Sequence, residues 1–275
     1  MNLKQIKSLV LAAAVTVSCF AAGSGEAAGS EEQLSFLINQ SPVWSSAPFY
    51  ADWLREKGSF AVTDLDRNGR LELFFVTTVR EQVPGAKADG TKEERALEFL
   101  SRIPVARKIS AFEVSADGKR LEEIKFRYAD GQIVPDMYYL SAEFYNTDDN
   151  IRFYPIKTMV RTGLRGYRLY HQVISLKDGS LTVQTVGTEY GKYVTSEKYD
   201  YTEAVADYCE TRHGERMNEK EIADYAMTYL AGTSVTGVRA YWIPADNLDG
   251  AVRTGAGALR EVLEESLRNF VYEKR

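Results

Sequence analysis

Two Asp-Gly pairs, Asp117-Gly118 and Asp178-Gly179, each stand between stretches in which large apolar and polar residues alternate. Asp-Gly supplies the positive backbone angles of tight hairpin turns, and alternation at every second residue describes a strand with one buried face. The spacing predicts one hairpin from residues 109–115 and 121–128 and another from 167–176 and 181–190. Two further strands, 137–145 and 151–160, lie between them and are joined by Asn146-Thr147-Asp148-Asp149-Asn150. Six strands in succession are most simply an antiparallel meander.

Helical signals gather on both sides of this strand region. Ser30 with Gln33 has the form of a capping box ahead of Leu34, Leu37 and Ile38, and Phe49, Tyr50, Trp53 and Leu54 recur at one-turn spacing before a stop at Lys57-Gly58. Thr91 with Glu94 opens a predicted helix over 92–102 that carries Ala96, Leu97, Phe99 and Leu100. Thr202 is expected to cap a helix reaching residue 212. Asn218 with Glu221 opens another, with Ile222, Tyr225, Ala226 and Tyr229, ending near Gly232. The last helix gathers Leu259, Val262, Leu263, Leu267, Phe270 and Val271 on one face. The expected architecture is one α+β domain over residues 31–275, an antiparallel twisted sheet with N- and C-terminal helices packed on it.

The N-terminus indicates a compartment. Lys4 and Lys7 precede an apolar run over residues 9–17, and the small residues Ala21 and Ala22 follow, which is the pattern of a secretory signal peptide over residues 1–22. The run is too short to span about 30 Å of hydrocarbon. Two processing routes fit: cleavage near Ala21 or Ala22, or lipid attachment at Cys19, whose preceding Thr16 departs from the aliphatic residue usual in lipoprotein signals. Residues 23–30 are small and flexible and read as a linker. Removal of the leader moves the formal charge from -5 to -7, and an acidic chain without a basic stripe disfavours nucleic acid as a partner. Loss of Cys19 would leave Cys209 as the sole cysteine, so no internal disulfide is expected.

The one chemically distinctive segment is a short acidic loop between Phe60-Ala61-Val62-Thr63 and a run of apolar and β-branched residues from Leu71 to Val79. Both flanks read as strands. Asp64, Asp66 and Asn68 alternate, so their side-chain oxygens can converge while Leu65 and Arg67 point away, and Gly69 permits a sharp turn. The carbonyl of Arg70 and the carboxylate of Glu72 would extend an oxygen shell suited to calcium, a hard ion that takes six to eight oxygen ligands. The same residues also fit a tight Asx-rich turn without metal, in which Asp64 and Asp66 bond backbone amides. Mutual repulsion of three crowded carboxylates favours the cation.

The loop matches the first nine positions of an EF-hand, yet position twelve is Phe75 where an EF-hand has a bidentate Glu. It resembles the D-x-D-x-[DN]-G-x-x-[DE]-L calcium loops between strands of FG-GAP and VCBS-type repeats, and its first half resembles dockerin loops. It is similar also to a loose set of uncharacterised exported bacterial proteins with one DxDGDGxxEL segment soon after the signal peptide. The match covers residues 60–75, in one copy, with Arg67 and Asn68 where those loops have Gly and Asp. The resemblance implies calcium binding at Asp64, Asp66, Asn68, Arg70 and Glu72, and nothing about activity.

Other constellations read more simply as structure. Cys209 and His213 would share a helical face but supply only two zinc ligands. His171 has no G-x-S-x-G elbow at Ser175 or Ser180. The carboxylate pairs Glu122-Glu123, Asp148-Asp149 and Glu264-Glu265 are sequence neighbours whose side chains diverge. Among 17 tyrosines, clusters at Tyr138-Tyr139, Tyr190 with Tyr193, and Tyr199 with Tyr201 suit half-buried sheet faces, or a row that stacks on sugar rings or a partner protein. The expectation is an exported, non-enzymatic protein with a structural calcium loop that binds a surface glycan or an envelope protein. The alternatives are a secreted hydrolase with a dispersed active site and a sensor or accessory domain of an envelope system.

Overall fold

Residues 71–76, Leu-Glu-Leu-Phe-Phe-Val, are apolar on both parities, which describes a strand covered on both faces rather than one half-exposed. The computed structural model of the chain describes residues 29–128, 134–135, 137, 143–146, 152–177, 179–195, 202–229 and 234–274. The expected signal peptide, almost all of the linker, the pairs Asp148-Asp149 and Tyr138-Tyr139, and Tyr199, Tyr201 and Gly232 lie outside the described residues.

The chain begins with helices α1 (Ser30–Asn39), α2 (Ser41–Trp44) and α3 (Pro48–Arg55), then strands β1 (Ser59–Thr63) and β2 (Glu72–Val79). Helix α4 (Lys92–Arg102) leads to β3 (Ala106–Val114), β4 (Leu121–Glu123) and β5 (Lys125–Tyr128). Next come β6 (Glu143–Asn146), β7 (Arg152–Thr162), β8 (Gly166–Lys177), β9 (Ser180–Thr195), β10 (Thr202–Thr211) and β11 (Arg216–Met217). Helix α5 (Glu219–Thr228), β12 (Ser234–Arg239), β13 (Ile243–Pro244), α6 (Ala245–Thr254), α7 (Ala256–Arg268) and β14 (Val271–Lys274) complete it. The α+β class holds, with antiparallel sheets and helices from both ends of the chain. The strands, however, divide between two sheets.

The smaller sheet has the order β13-β1-β2-β3-β4, and the larger runs β11-β10-β9-β8-β7-β6-β12-β14. Strand β5 joins the larger sheet by pairing parallel with the start of β9. The second hairpin, β8 with β9, forms as expected. The first differs: residues 121–128 are two strands, because β4 pairs with β3 while β5 crosses to the other sheet at fully buried Ile124. A larger correction concerns residues 202–212. Thr202 starts no helix; the segment is β10, paired with the long β9 from Thr202↔Thr195 to Thr211↔Gly187. An edge strand's worth of open hydrogen-bonding groups along β9 overrides the modest helix propensity of that segment.

Alternation along β1 and β2 then builds two cores. Phe60, Val62, Leu73 and Phe75 face the helices, where Leu37 of α1, Trp44 of α2, Trp53 of α3, Leu248 of α6 and Leu263 of α7 meet them. Ala61, Phe74 and Val76 face the larger sheet and meet Ile156, Ile174, Leu181 and Val183. The far face of the larger sheet is covered in part by α5, through Val173, Val186 and Ala226, and in part by Leu100 of α4 against Tyr167 and Tyr193. Both α4 and α5 carry the expected capping boxes, Thr91 with Glu94 and Asn218 with Glu221. Ser266 of α7 secures the margin of the smaller sheet: its Oγ accepts from Val62 N and donates to Tyr241 O, both at 2.9 Å. Among the described residues no helix is long and apolar enough to cross a membrane.

Phe75 is the centre of the helix-side core, with the rings of Phe49 and Trp53 both at 5.2 Å and those of Trp44, Tyr50, Phe60 and Phe112 around it. Phe75→Ala is expected to cost about 3–5 kcal/mol in urea denaturation. A loss below about 1 kcal/mol would show that the helices are not seated on this ring.

Candidate metal centre

The acidic loop joins β1 to β2, and its ends are fixed before any ligand is considered. Leu65 packs into the core between the sheets, and Leu71 and Leu73 pack into the helix-side core. Between these anchors the backbone turns sharply, with φ of 57° at Arg67 and 78° at Gly69. Arg67 thus occupies a left-handed conformation that favours glycine, at the position where the resembling loops have one.

The loop brings Asp64, Asp66 and Glu72 together, with one carboxylate oxygen from each lying within 4.8 Å of the others. This cluster can hold a metal ion. Asp64 and Asp66 also make the turn contacts that a metal-free loop requires. Asp64 Oδ1 accepts from Gly69 N at 3.3 Å, and Asp66 Oδ1 accepts from Asn68 N at 3.1 Å.

Glu72 differs from both. It shares a strand face with Phe74 and Val76, so its side chain enters the interior between the sheets, where it is 0% exposed. One oxygen, Oε2, accepts from Thr63 Oγ1 and Leu65 N, each at 2.7 Å. The other, Oε1, is buried without a hydrogen-bond partner. Burial first, and the neighbouring Asp66 second, push the Glu72 carboxyl well above the ordinary carboxylate range. The same two causes push Asp64 up to about 6.

Asn68 and Arg70, expected to offer an amide oxygen and a main-chain carbonyl, have their side chains engaged by a residue outside the loop. Glu113 of β3 stands directly opposite Glu72 in the ladder. Its Oε1 accepts from Asn68 Nδ2 at 2.6 Å, and its Oε2 pairs with Arg70 Nη2 at 2.5 Å. Asn68 Nδ2 also donates to Asp66 Oδ2 at 3.1 Å, while Asn68 Oδ1 accepts from Arg70 N at 2.7 Å. Burial raises the Glu113 carboxyl, although Asn68 and Arg70 act against that rise. Gln33 is a second outside contributor: it donates from Nε2 to Gly69 O and accepts at Oε1 from Leu71 N, each at 2.7 Å. The expected Ser30–Gln33 capping box is absent, since α1 has no side-chain cap and Gln33 is turned to the loop. No sequence signal joins Gln33 or Glu113 to the loop, and Glu113 alternates with Phe112 and Val114 as a residue of a solvated strand face would.

The other candidates fall apart as chemistry. Cys209 is buried in β10 and its thiol is pushed up to about 11 by burial, while His213 is exposed beyond the strand's end, so the two share no helical face. Ser175 lies four residues along β8 from His171, about 13 Å at strand rise. Glu122 and Glu264 are engaged by arginines at the surface. Tyr190 and Tyr208 stack at 4.8 Å, flanked by the guanidinium groups of Arg168 and Arg216. A cavity of about 710 Å³ between α4 and β9 is bordered by Lys92, Arg165 and Lys192, and its described lining holds no histidine, cysteine or serine.

Against known proteins, the chain matches no family model, no curated sequence and no solved structure.

His171 remains as a buried titratable group, with Nε2 unpartnered and its neighbours in the ladder Lys157 and Gly187. Burial, then Lys157, lower its pKa to about 4. The folded protein therefore keeps His171 neutral where the unfolded chain takes up a proton, and stability is lost as pH falls from about 6.5 toward 4. Relative to His171→Gln, the wild type should lose up to about 1.4 kcal/mol per pH unit across that window, measured by denaturation at each pH. Parallel profiles would contradict a buried neutral imidazole.

Proposed function

We propose that the chain is an exported, non-enzymatic protein in which the Asp64–Glu72 loop holds calcium as a structural ion. The observation that carries this reading is Glu72 Oε1, a fully buried acceptor without a partner, beside carboxylate oxygens from Asp64 and Asp66. A carboxylate oxygen left bare in the interior costs roughly 1–3 kcal/mol or more, and a divalent cation removes that cost together with the repulsion among the three groups. The donors are all hard oxygens, which excludes soft thiolate chemistry and suits calcium. Calcium also accepts the irregular geometry of such a loop better than magnesium, which demands a near-ideal octahedron.

The ion's work is to fasten the loop to the smaller sheet. Glu72 belongs to β2, Leu65 is seated between the sheets, and Asp66 reaches Asn68, which is tied to Glu113 of β3. Outside a cell, where calcium is expected to be plentiful, a site with a dissociation constant of about 10⁻⁴ to 10⁻³ M would still fill. The partner expected of such a module, a surface glycan or an envelope protein, has a candidate surface in the Arg168–Tyr190–Tyr208–Arg216 row. Its ring faces are already turned on each other and on the guanidinium groups, so it would offer ring edges and hydroxyls.

Thermal unfolding with and without calcium tests the reading. At 10 mM calcium a site of that affinity adds about 1.4–2.7 kcal/mol, or roughly 3–10 °C in Tm. Glu72→Gln and Asp66→Asn should abolish the gain. Glu72→Gln should also leave the calcium-free protein at least as stable as wild type, because it removes a buried charge without removing volume. A wild-type Tm indifferent to millimolar calcium, or variants that respond as the wild type does, would end the proposal.

A further inference from the structure

Gln33 connects the loop to a part of the fold that supplies no ligand. It lies in the first turn of α1, is 1% exposed, and spends both ends of its amide on the loop backbone, at Gly69 O and Leu71 N. Those two groups flank Arg70, whose carbonyl is an expected ligand, and Leu71 leads directly into Glu72. The side chain does there what a neighbouring strand does for a ladder: it fixes the separation of a donor and an acceptor two residues apart. Helix α1 is otherwise held by Leu34, Leu37 and Ile38 in the helix-side core, and by Arg260 of α7, which reaches Glu31 at 2.9 Å and Ser35 at 2.8 Å.

We infer that Gln33 is a positioning residue of the cation site, and that through it cation binding and the docking of α1 are coupled. The inference rests on the calcium reading. A cation favours the loop conformation in which Asp64, Asp66 and Glu72 converge, and that is the conformation that presents Gly69 O and Leu71 N to Gln33. Docked α1 favours the same conformation, and such coupling is reciprocal. Helix α1 is the first described element after the segment expected to be the export leader and linker. The cation then decides how firmly the start of the folded chain is held, and whether the apolar face of Leu34, Leu37 and Ile38 stays covered. Such a latch closes where calcium is abundant and loosens where it is scarce.

Hydrogen exchange of residues 30–39, measured on the protein in EGTA and in saturating calcium, together with calcium titration by calorimetry, tests this. Calcium should slow exchange in α1 by about tenfold or more in the wild type. Gln33→Leu keeps the bulk and removes both hydrogen bonds. It should weaken calcium binding roughly 10- to 100-fold, the usual cost of losing an outer-shell partner, and should erase the calcium-dependent slowing even at saturation. Gln33→Asn, which withdraws the amide by one methylene, should show the same losses and carries the test if the leucine variant folds poorly. Arg260→Ala loosens α1 without touching the loop, so exchange should rise equally with and without calcium and the affinity should stay within twofold of wild type. Gln33 variants with wild-type affinity and wild-type calcium protection of α1 overturn the coupling and leave the calcium site standing. A wild type that binds no calcium overturns the site and the coupling together.

Discussion

The structure depends on the double burial of β2. Its odd-numbered side chains, Leu73 and Phe75, belong to the helix-side core, and its even-numbered ones, Phe74 and Val76, to the core between the sheets. A slip of one residue would exchange the side chains of the two cores, sending Phe74 and Phe75 each into the wrong one, so the register is held from both sides at once. Glu72 inherits that constraint. It has the parity of Phe74 and Val76 and must therefore enter the interior, where a carboxylate has no solvent to turn to. The acidic loop is the local answer to a global requirement: the chain has to deliver an even-parity glutamate into a core and find something to satisfy it.

Much of this was legible, and the legible parts share a cause. The capping boxes of α4 and α5, the hairpin of β8 with β9, and the strand-loop-strand unit around Asp64 are each specified by residues within about ten positions of one another. Hydrogen-bonding side chains and positive-φ turns act at that range, so their patterns can be read without knowing what they pack against. The convergence of Asp64, Asp66 and Glu72 is of this kind, since alternation in a tight loop places the carboxylates on one side.

The misread parts were decided by partners outside the segment itself. Residues 202–211 carry alanines and acids that suit a helix, but β9 is sixteen residues long and presents an open edge beyond the short pairing with β5. Sheet edges are completed where chain is available, and β10 completes this one. In residues 121–128 the pair Glu122-Glu123 shifts the apolar parity from Leu121 to Ile124, Phe126 and Tyr128, and Ile124 passes between layers because β3 and β9 each accept only part of the run. Gln33 and Glu113 are 36 and 45 residues from the loop atoms they bind. Nothing local marks either, because a glutamine in a first helical turn resembles a cap and a glutamate in a strand resembles a solvated face.

Those two outside residues change what the loop must be. An Asx-rich turn accounts fully for Asp64 and Asp66, which bond Gly69 and Asn68 as such turns do, and it needs neither Glu72 nor Glu113. Glu113 in turn is matched by Arg70, one cation for one carboxylate, so that pair leaves the local charge unchanged. What is left over is the set Asp64, Asp66 and Glu72, three converging carboxylates, of which Glu72 is wholly buried with one oxygen unbonded. Arg70 could have been placed against Glu72, its near neighbour in sequence, but it reaches across the ladder to Glu113 instead. The arrangement thus spends its arginine on the glutamate at the site's margin and keeps three acidic groups converged on one interior point. Protonation would quiet them singly, whereas one small divalent ion would satisfy all three at once and would make the interior position of Glu72 an asset to the fold.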